Sequence, residues 1–269
     1  MWPIFTKTLY DSRKLILWLF LGFAFYGMIT AALYPIMVDA AEDYNKIMEA
    51  MPSEMLAFIG MGAEDFDMGN LGQFLHMYMM LYLLLTAGAV AIYQAFNAFT
   101  NAERDNSMDM LLSLPISRRE NLLGQYAATV VTAIISLLGA YLGVIVTTPF
   151  WEDVEFSSVD IAIAVFAAIL PILVIASISF LLVAVIPSSK KFAGAVAYIF
   201  WIGSYMVFGF TLAIEALSDF QGFFIYYYYN AGDLINDGIK WGDWVLLLAI
   251  SVVLLGVAWW RVDEKELGI

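Results

Sequence analysis

The chain has 269 residues, 62% of them apolar and only 14% charged, with a mean hydropathy of +0.81 and a net charge of −13. That balance excludes a soluble domain of this size, which needs far more polar surface. The acidity excludes a nucleic-acid-binding surface, which is basic. With no cysteine and a single histidine, His76, the sequence also excludes disulfides, thiolate sites and paired-imidazole metal clusters.

A run of about 20 apolar residues crosses the roughly 30 Å of membrane hydrocarbon as a helix. Six such runs are present: Leu15–Val38, Met77–Phe99, Leu122–Val146, Ile161–Ile186, Phe192–Ile214 and Trp244–Trp260. The expected fold is therefore an all-α membrane protein, a single transmembrane domain over residues 1–269. The first run is too long for a cleavable signal and lacks a small-residue cleavage site, so it is expected to stay as an anchor.

Residues 1–14 set Trp2, Ile4, Phe5 and Leu9 among Lys7, Asp11, Arg13 and Lys14. This predicts either an amphipathic helix in the inner interface or a plain charged flank of span one. Residues 39–76 form a large outer segment. Ala40–Met51 can be helical, and Gly60, Gly62, Gly69 and Gly72 punctuate the rest, so a small cap of short helices is expected. His76 is expected at the outer mouth of span two.

Between spans two and three lies the polar stretch 100–125. Thr100 and Glu103 have capping-box spacing. Met108, Leu111, Leu112 and Pro115 follow at i, i+3, i+4 and i+7, an apolar stripe that Pro115 ends. Ser117 and Glu120 form a second capping box that starts span three. The stripe rests either on the inner leaflet or in a partner's groove. The carboxylates of Glu103, Asp105 and Asp109 favour a protein partner over an anionic membrane surface.

On span three, Gly139 and Gly143 make a GxxxG pattern that permits close helix packing, within the chain or at a dimer face. Ser157 and Asp160 supply helix-start chemistry for span four. Pro171 interrupts that span and predicts a kink, either static or a hinge. Residues 215–243 carry the run Phe223–Tyr229 flanked by Glu215, Asp219, Asp233 and Asp237. A re-entrant or interfacial hairpin with tyrosine rings at headgroup depth is expected here. Glu215 closes span five and either reaches outer water or serves as an exit-gate carboxylate.

Ten of the twelve basic residues fall on one side of the spans, and only Lys46 and Lys240 on the other; seventeen of twenty-five acidic residues fall on the side of those two lysines. The positive-inside rule then puts both termini in the cytoplasm of a multi-pass plasma-membrane protein. The outer acidity is either a solvated face or an attraction for cationic substrates.

No G-x4-G-K-[ST] loop, H-E-x-x-H or G-x-S-x-G motif occurs, so no ATP site, metal or catalytic residue is expected in this chain. Scarce ionisable residues in the spans argue against a proton- or sodium-driven carrier.

The run ER-x2-S-x-DMLLSLPISRRE-x-LLG, residues 103–124, resembles the signature segment of type-2 ABC exporter permeases. The order of segments around it is also similar: N-terminal interfacial helix, six spans, large first outer loop, aromatic re-entrant segment before span six. The chain departs from the pattern at Asn106-Ser107, where a glycine–threonine pair is frequent, and in its acidic outer face. The resemblance implies that residues 100–120 are a coupling element seated on a separate cytoplasmic ATPase. Glu103 and Arg104 would open it, and Met108, Leu111, Leu112, Pro115, Arg118 and Arg119 would form its body and exit. The loop 187–191 would be a second, smaller contact. It further implies two ATPase copies binding ATP and Mg2+, a second permease copy or paralogue, and surrounding lipid. A scaffold or sensor with a ligand-binding outer cap, and an ATPase-independent channel or carrier, remain as alternatives. The substrate, whether lipid, drug, peptide or ion, is not written in the sequence.

Overall fold

The structure, a computed structural model, describes residues 1–52, 55, 67–104, 117–151, 157–186 and 190–262. Among these it is helical throughout, without a strand, and six helical stretches are long and apolar enough to cross a membrane. Span one is α1 (Trp2–Asp39) and is followed by the short α2 (Ala41–Glu49). Span two joins α3 (Leu71–Leu75), a π-turn (His76–Met80) and α4 (Leu81–Arg104). Span three is α5 (Arg118–Thr147), span four is α6 (Ser158–Ala167) with α7 (Ile169–Val185), and span five is α8 (Lys190–Ala213). Two 3-10 runs (Glu215–Phe223 and Ile225–Tyr228) and α9 (Ala231–Asn236) lead to span six, α10 (Trp241–Arg261). The end carrying α2 and α9 is called the cap end, and the end carrying Arg104, Arg118 and Arg261 the basic end.

Local chemistry explains most boundaries. Ser117 Oγ accepts from Glu120 N–H at 3.2 Å while the Glu120 carboxylate accepts from Ser117 N–H at 3.2 Å, the reciprocal box expected. Ser157 Oγ accepts from Asp160 N–H and starts span four. Two boundaries differ from the expectation. Asn70 Oδ1 accepts from Gln73 N–H, so span two begins at Leu71 rather than Met77; Gln73 and His76 lower the hydropathy of that first turn. At the other end its helix continues through Thr100 to Arg104, so Thr100 opens no new helix. Nothing between Phe99 and Asn101 breaks the chain, and a threonine inside a helix costs only tenths of a kcal/mol.

Residues 1–14 are helical but run without a break into span one, because α1 meets no interrupting proline before Pro35. At 1.5 Å per residue the 38-residue helix is roughly 57 Å long, well beyond the hydrocarbon thickness.

Pro35 has no N–H to offer the Ala31 carbonyl. The Trp151 indole N–H donates to that carbonyl at 3.0 Å, and its ring packs on Tyr34 with centroids 5.4 Å apart. Trp151→Phe keeps the ring contact and orphans the carbonyl. It should cost about 1–3 kcal/mol, read as a lowered melting temperature in detergent.

Span four breaks at Ala168, where Pro171 removes the next helical donor. Ala168 N–H turns to Val165, and the Tyr229 hydroxyl donates to the Ala164 carbonyl at 3.0 Å. This span is the centre of the bundle. Its apolar window is 67% buried, against 22% for span one and 17% for span six.

Spans one and three pack backbone to backbone. A Cβ added at Gly143 would lie 2.1 Å from the Ala24 carbonyl oxygen, and one at Gly139 2.3 Å from that of Phe20. The GxxxG pattern is thus spent inside the chain, on span one, and does not form a dimer face. Sequence spacing could not choose between the two because both place small residues at a close crossing.

Candidate functional site

Three layers run along the bundle, and the basic end carries the residues expected to couple it to a partner. Glu103 and Arg104 are the last described residues in the helix of span two. Met108, Leu111, Leu112 and Pro115 lie outside the described residues, as does most of the 187–191 loop. Arg118 and Arg119 are the first two residues of α5, held by the Ser117–Glu120 box. The Arg119 guanidinium stands 4.0 Å above the Trp259 ring, on the last turn of span six. Beside it Leu122, Ala95, Phe180, Ala184, Ala258 and Val262 form an apolar junction of spans two, three, four and six.

The middle layer holds a buried polar seam that sequence reasoning missed. Gln94 of span two donates through Nε2 to Thr132 Oγ1 of span three at 3.1 Å. Thr129, Thr132 and Ser136 each donate back to a carbonyl one turn earlier in their own helix. With Leu19 and Ala91 these residues line a cavity of about 10 Å3, and Gln94 Oε1 is buried without a hydrogen-bond partner. A polar residue at 129, 132 and 136, spaced i, i+3 and i+7, was the available signal.

Pro171 is buried near the middle of span four and fixes the break at Ala168. Glu215 opens the first 3-10 run after span five. The two are not part of the basic-end group.

The cap-end layer is built by residues 215–240. The segment where a re-entrant or interfacial hairpin was expected consists of two 3-10 runs and a short helix. Tyr226 and Tyr229 turn into the protein core rather than lying at its surface, while Phe223 and Tyr227 are exposed. Tyr226 donates to the Trp201 carbonyl at 2.7 Å and stacks on its indole with centroids 4.9 Å apart. Trp201 is fully buried, and its indole N–H donates to the Leu85 carbonyl of span two at 3.1 Å. Burial pushes the Tyr226 and Tyr229 hydroxyls above the usual phenol range, so both stay neutral donors. These rings close the bundle by giving backbone carbonyls the donors that lipid cannot supply.

His76 is half-buried and has a partner that sequence did not reveal. Its Nδ1 accepts from Ala231 N–H at 3.2 Å, at the start of α9. Asn70 and Asn236 exchange side-chain hydrogen bonds at 3.2 Å. The Asp233 carboxylate hydrogen-bonds Lys240 at 2.8 Å and raises its pKa. A cleft of about 520 Å3 opens here, lined by Tyr34, Asn70, Ser157, Asp160 and Asn236 among others. No group of three or more metal-ligating side chains occurs among the described residues.

The arrangement is that of a membrane-spanning bundle with an aromatic layer packed at its cap end and a capped helix start at its basic end. No curated protein matches the chain. Residues 9–261 match the family described as multidrug efflux system permease Rv1217c, C-terminal domain. That match spans nearly the whole of this multi-pass membrane protein, and the chain belongs to this family of ABC-type permeases.

Proposed function

We propose that this permease is the transmembrane subunit of an ATP-driven exporter of the type-2 ABC kind. A permease is a transport subunit and not an enzyme; ATP and Mg2+ would be bound and hydrolysed by two cytoplasmic ATPase copies. The permease would pair with a second copy or a paralogue, with the basic end and both termini in the cytoplasm.

The observation that carries this reading is the family match over residues 9–261, together with the capped start of span three. Span two remains helical to Arg104, and span three restarts at the doubly hydrogen-bonded box of Ser117 and Glu120. Nucleotide-driven closure of the ATPases would then bias the bundle between two states. The break at Ala168 next to Pro171 would be a place for span four to bend, and Glu215 would serve as the exit-gate residue. The family's description as a multidrug efflux permease supports drugs as the substrate class.

Leu111→Asp together with Leu112→Asp should abolish docking. Burying two carboxylates in an apolar seat is a hot-spot loss, so recovery of the ATPase with tagged permease should fall about 10-fold or more. Intact assembly and intact ATP-dependent transport in that variant would reject the docking assignment. Transport by the purified permease alone, without any ATPase, would favour a carrier instead.

A further inference from the structure

We propose that Arg119 and Trp259 form a latch that makes the last span move with the start of span three. Motion imposed on residues 105–116 is thereby delivered to span six. The inference rests on the exporter reading and adds the route by which its force travels.

Span six is the least buried of the six, at 17% of its apolar window. Along its length it leans on span four, through Leu247 against Leu170 and Val174. Among the described residues it meets span three near the basic end, where Leu122 shares an apolar junction with Ala258 and Val262. Arg119 lies over Trp259 at that same level, 4.0 Å from the ring centroid. Arg119 stands two residues after Ser117, inside the first turn that the capping box holds rigid. Any tilt of that turn therefore carries the guanidinium with it.

A guanidinium over an indole face is drawn by the ring quadrupole. The contact resists separation of the two helices yet tolerates rotation of the ring. That is the behaviour needed to pull one helix along with another. The family resemblance gives Arg119 to the ATPase seat; its position over Trp259 makes it a positioning residue between two spans.

The chain has no native cysteine, so labels can be placed without background. Ile134 and Val252, exposed on spans three and six, are replaced by cysteine and spin-labelled in one protomer of the reconstituted permease–ATPase complex. The distance between labels is measured nucleotide-free and trapped with ATP and vanadate. With the latch intact the two distributions should coincide, because the helices move together. Trp259→Leu should still bind the ATPase, but its trapped distance should shift by about 5 Å, the size of a one-turn slip. Trp259→Phe, which keeps an aromatic face, should restore coincidence.

If Trp259→Leu does not fold, stepwise fluorination of the Trp259 ring weakens its face at nearly constant size. The trapped shift should then grow with each fluorine. Bound ATPase with the same distances in the parent and in Trp259→Leu, or no dependence on fluorination, overturns the latch alone. An unsubstituted permease that binds no ATPase overturns the exporter reading and the latch with it.

Discussion

Gly143→Leu should unseat span one from span three and give the largest loss of stability of any single change considered for this protein. The atoms a new Cβ would meet are backbone: the Ala24 carbonyl oxygen at 2.1 Å, its carbon at 2.9 Å and Met28 N at 2.9 Å. Backbone in a helix cannot swing aside as a side chain can, so the whole of span one must retreat. Gly139 and Gly27 sit at the same crossing. A Cβ at either would stand 2.3 Å and 2.6 Å, respectively, from a carbonyl oxygen of the facing helix, so retreat at one level opens all three. Overpacking of this kind costs about 3 kcal/mol or more, because no rotamer relieves it. For a chain of this size that corresponds to a fall of about 10 °C in melting temperature. The check is thermal denaturation of purified variants in detergent, followed by gel filtration. Gly22→Ala is the matched control. It lies on span one too, but a Cβ there meets nothing within 4 Å, and it should melt with the parent. Equal melting of Gly143→Leu and Gly22→Ala would refute the close crossing.

Gly88→Ala should expel Trp201 and loosen the aromatic layer that seats Tyr226. A Cβ at position 88 would stand 2.3 Å from Trp201 Cζ2 and 2.7 Å from its Nε1. Trp201 is fully buried, so the indole has no open space to enter. Moving it breaks the bond to the Leu85 carbonyl and disturbs the stack that seats Tyr226. The expected loss is about 2 kcal/mol, within the range for inserting a methyl into a packed core. A double-mutant cycle separates this cause from a general effect of alanine. In a Trp201→Leu background Gly88→Ala should be nearly harmless, giving a coupling energy of about 2 kcal/mol between the positions. Additive losses would mean that Gly88 does not serve as the notch for Trp201.

What can be read directly from the sequence is what depends on neighbours along the chain. Six apolar runs of spanning length, the starts at Ser117 and Ser157, and the interruption by Pro171 are all local. Hydropathy, capping and a missing N–H each act within a few residues, and the fold carries all of them. Boundaries slipped where polar residues sat inside a helix: Gln73 and His76 hid the true start of span two, and Thr100 looked like a cap within an unbroken helix. The family resemblance rested on residues 103–124 and on the order of segments around them; the match over residues 9–261 shows the coarser family, an ABC-type permease.

Tertiary structure decided which apolar face meets protein and which meets lipid. The two environments are equally apolar, so no hydropathy pattern separates them. That is why the glycines of span three were open to two partners until span one filled their groove. It is also why Tyr226 and Tyr229 turned inward from a run in which Phe223 and Tyr227 stay exposed. The donors for Ala31, Leu85 and Ala164 come from residues 65 to 120 positions away. The contact of Arg119 with Trp259, which joins spans three and six, is equally remote in sequence. Carbonyls freed by a proline or a helix break, as at Ala31 and Ala164, demand a donor in a dry interior, and a buried indole such as that of Trp201 demands an acceptor, but the chain does not announce which distant partner will supply either.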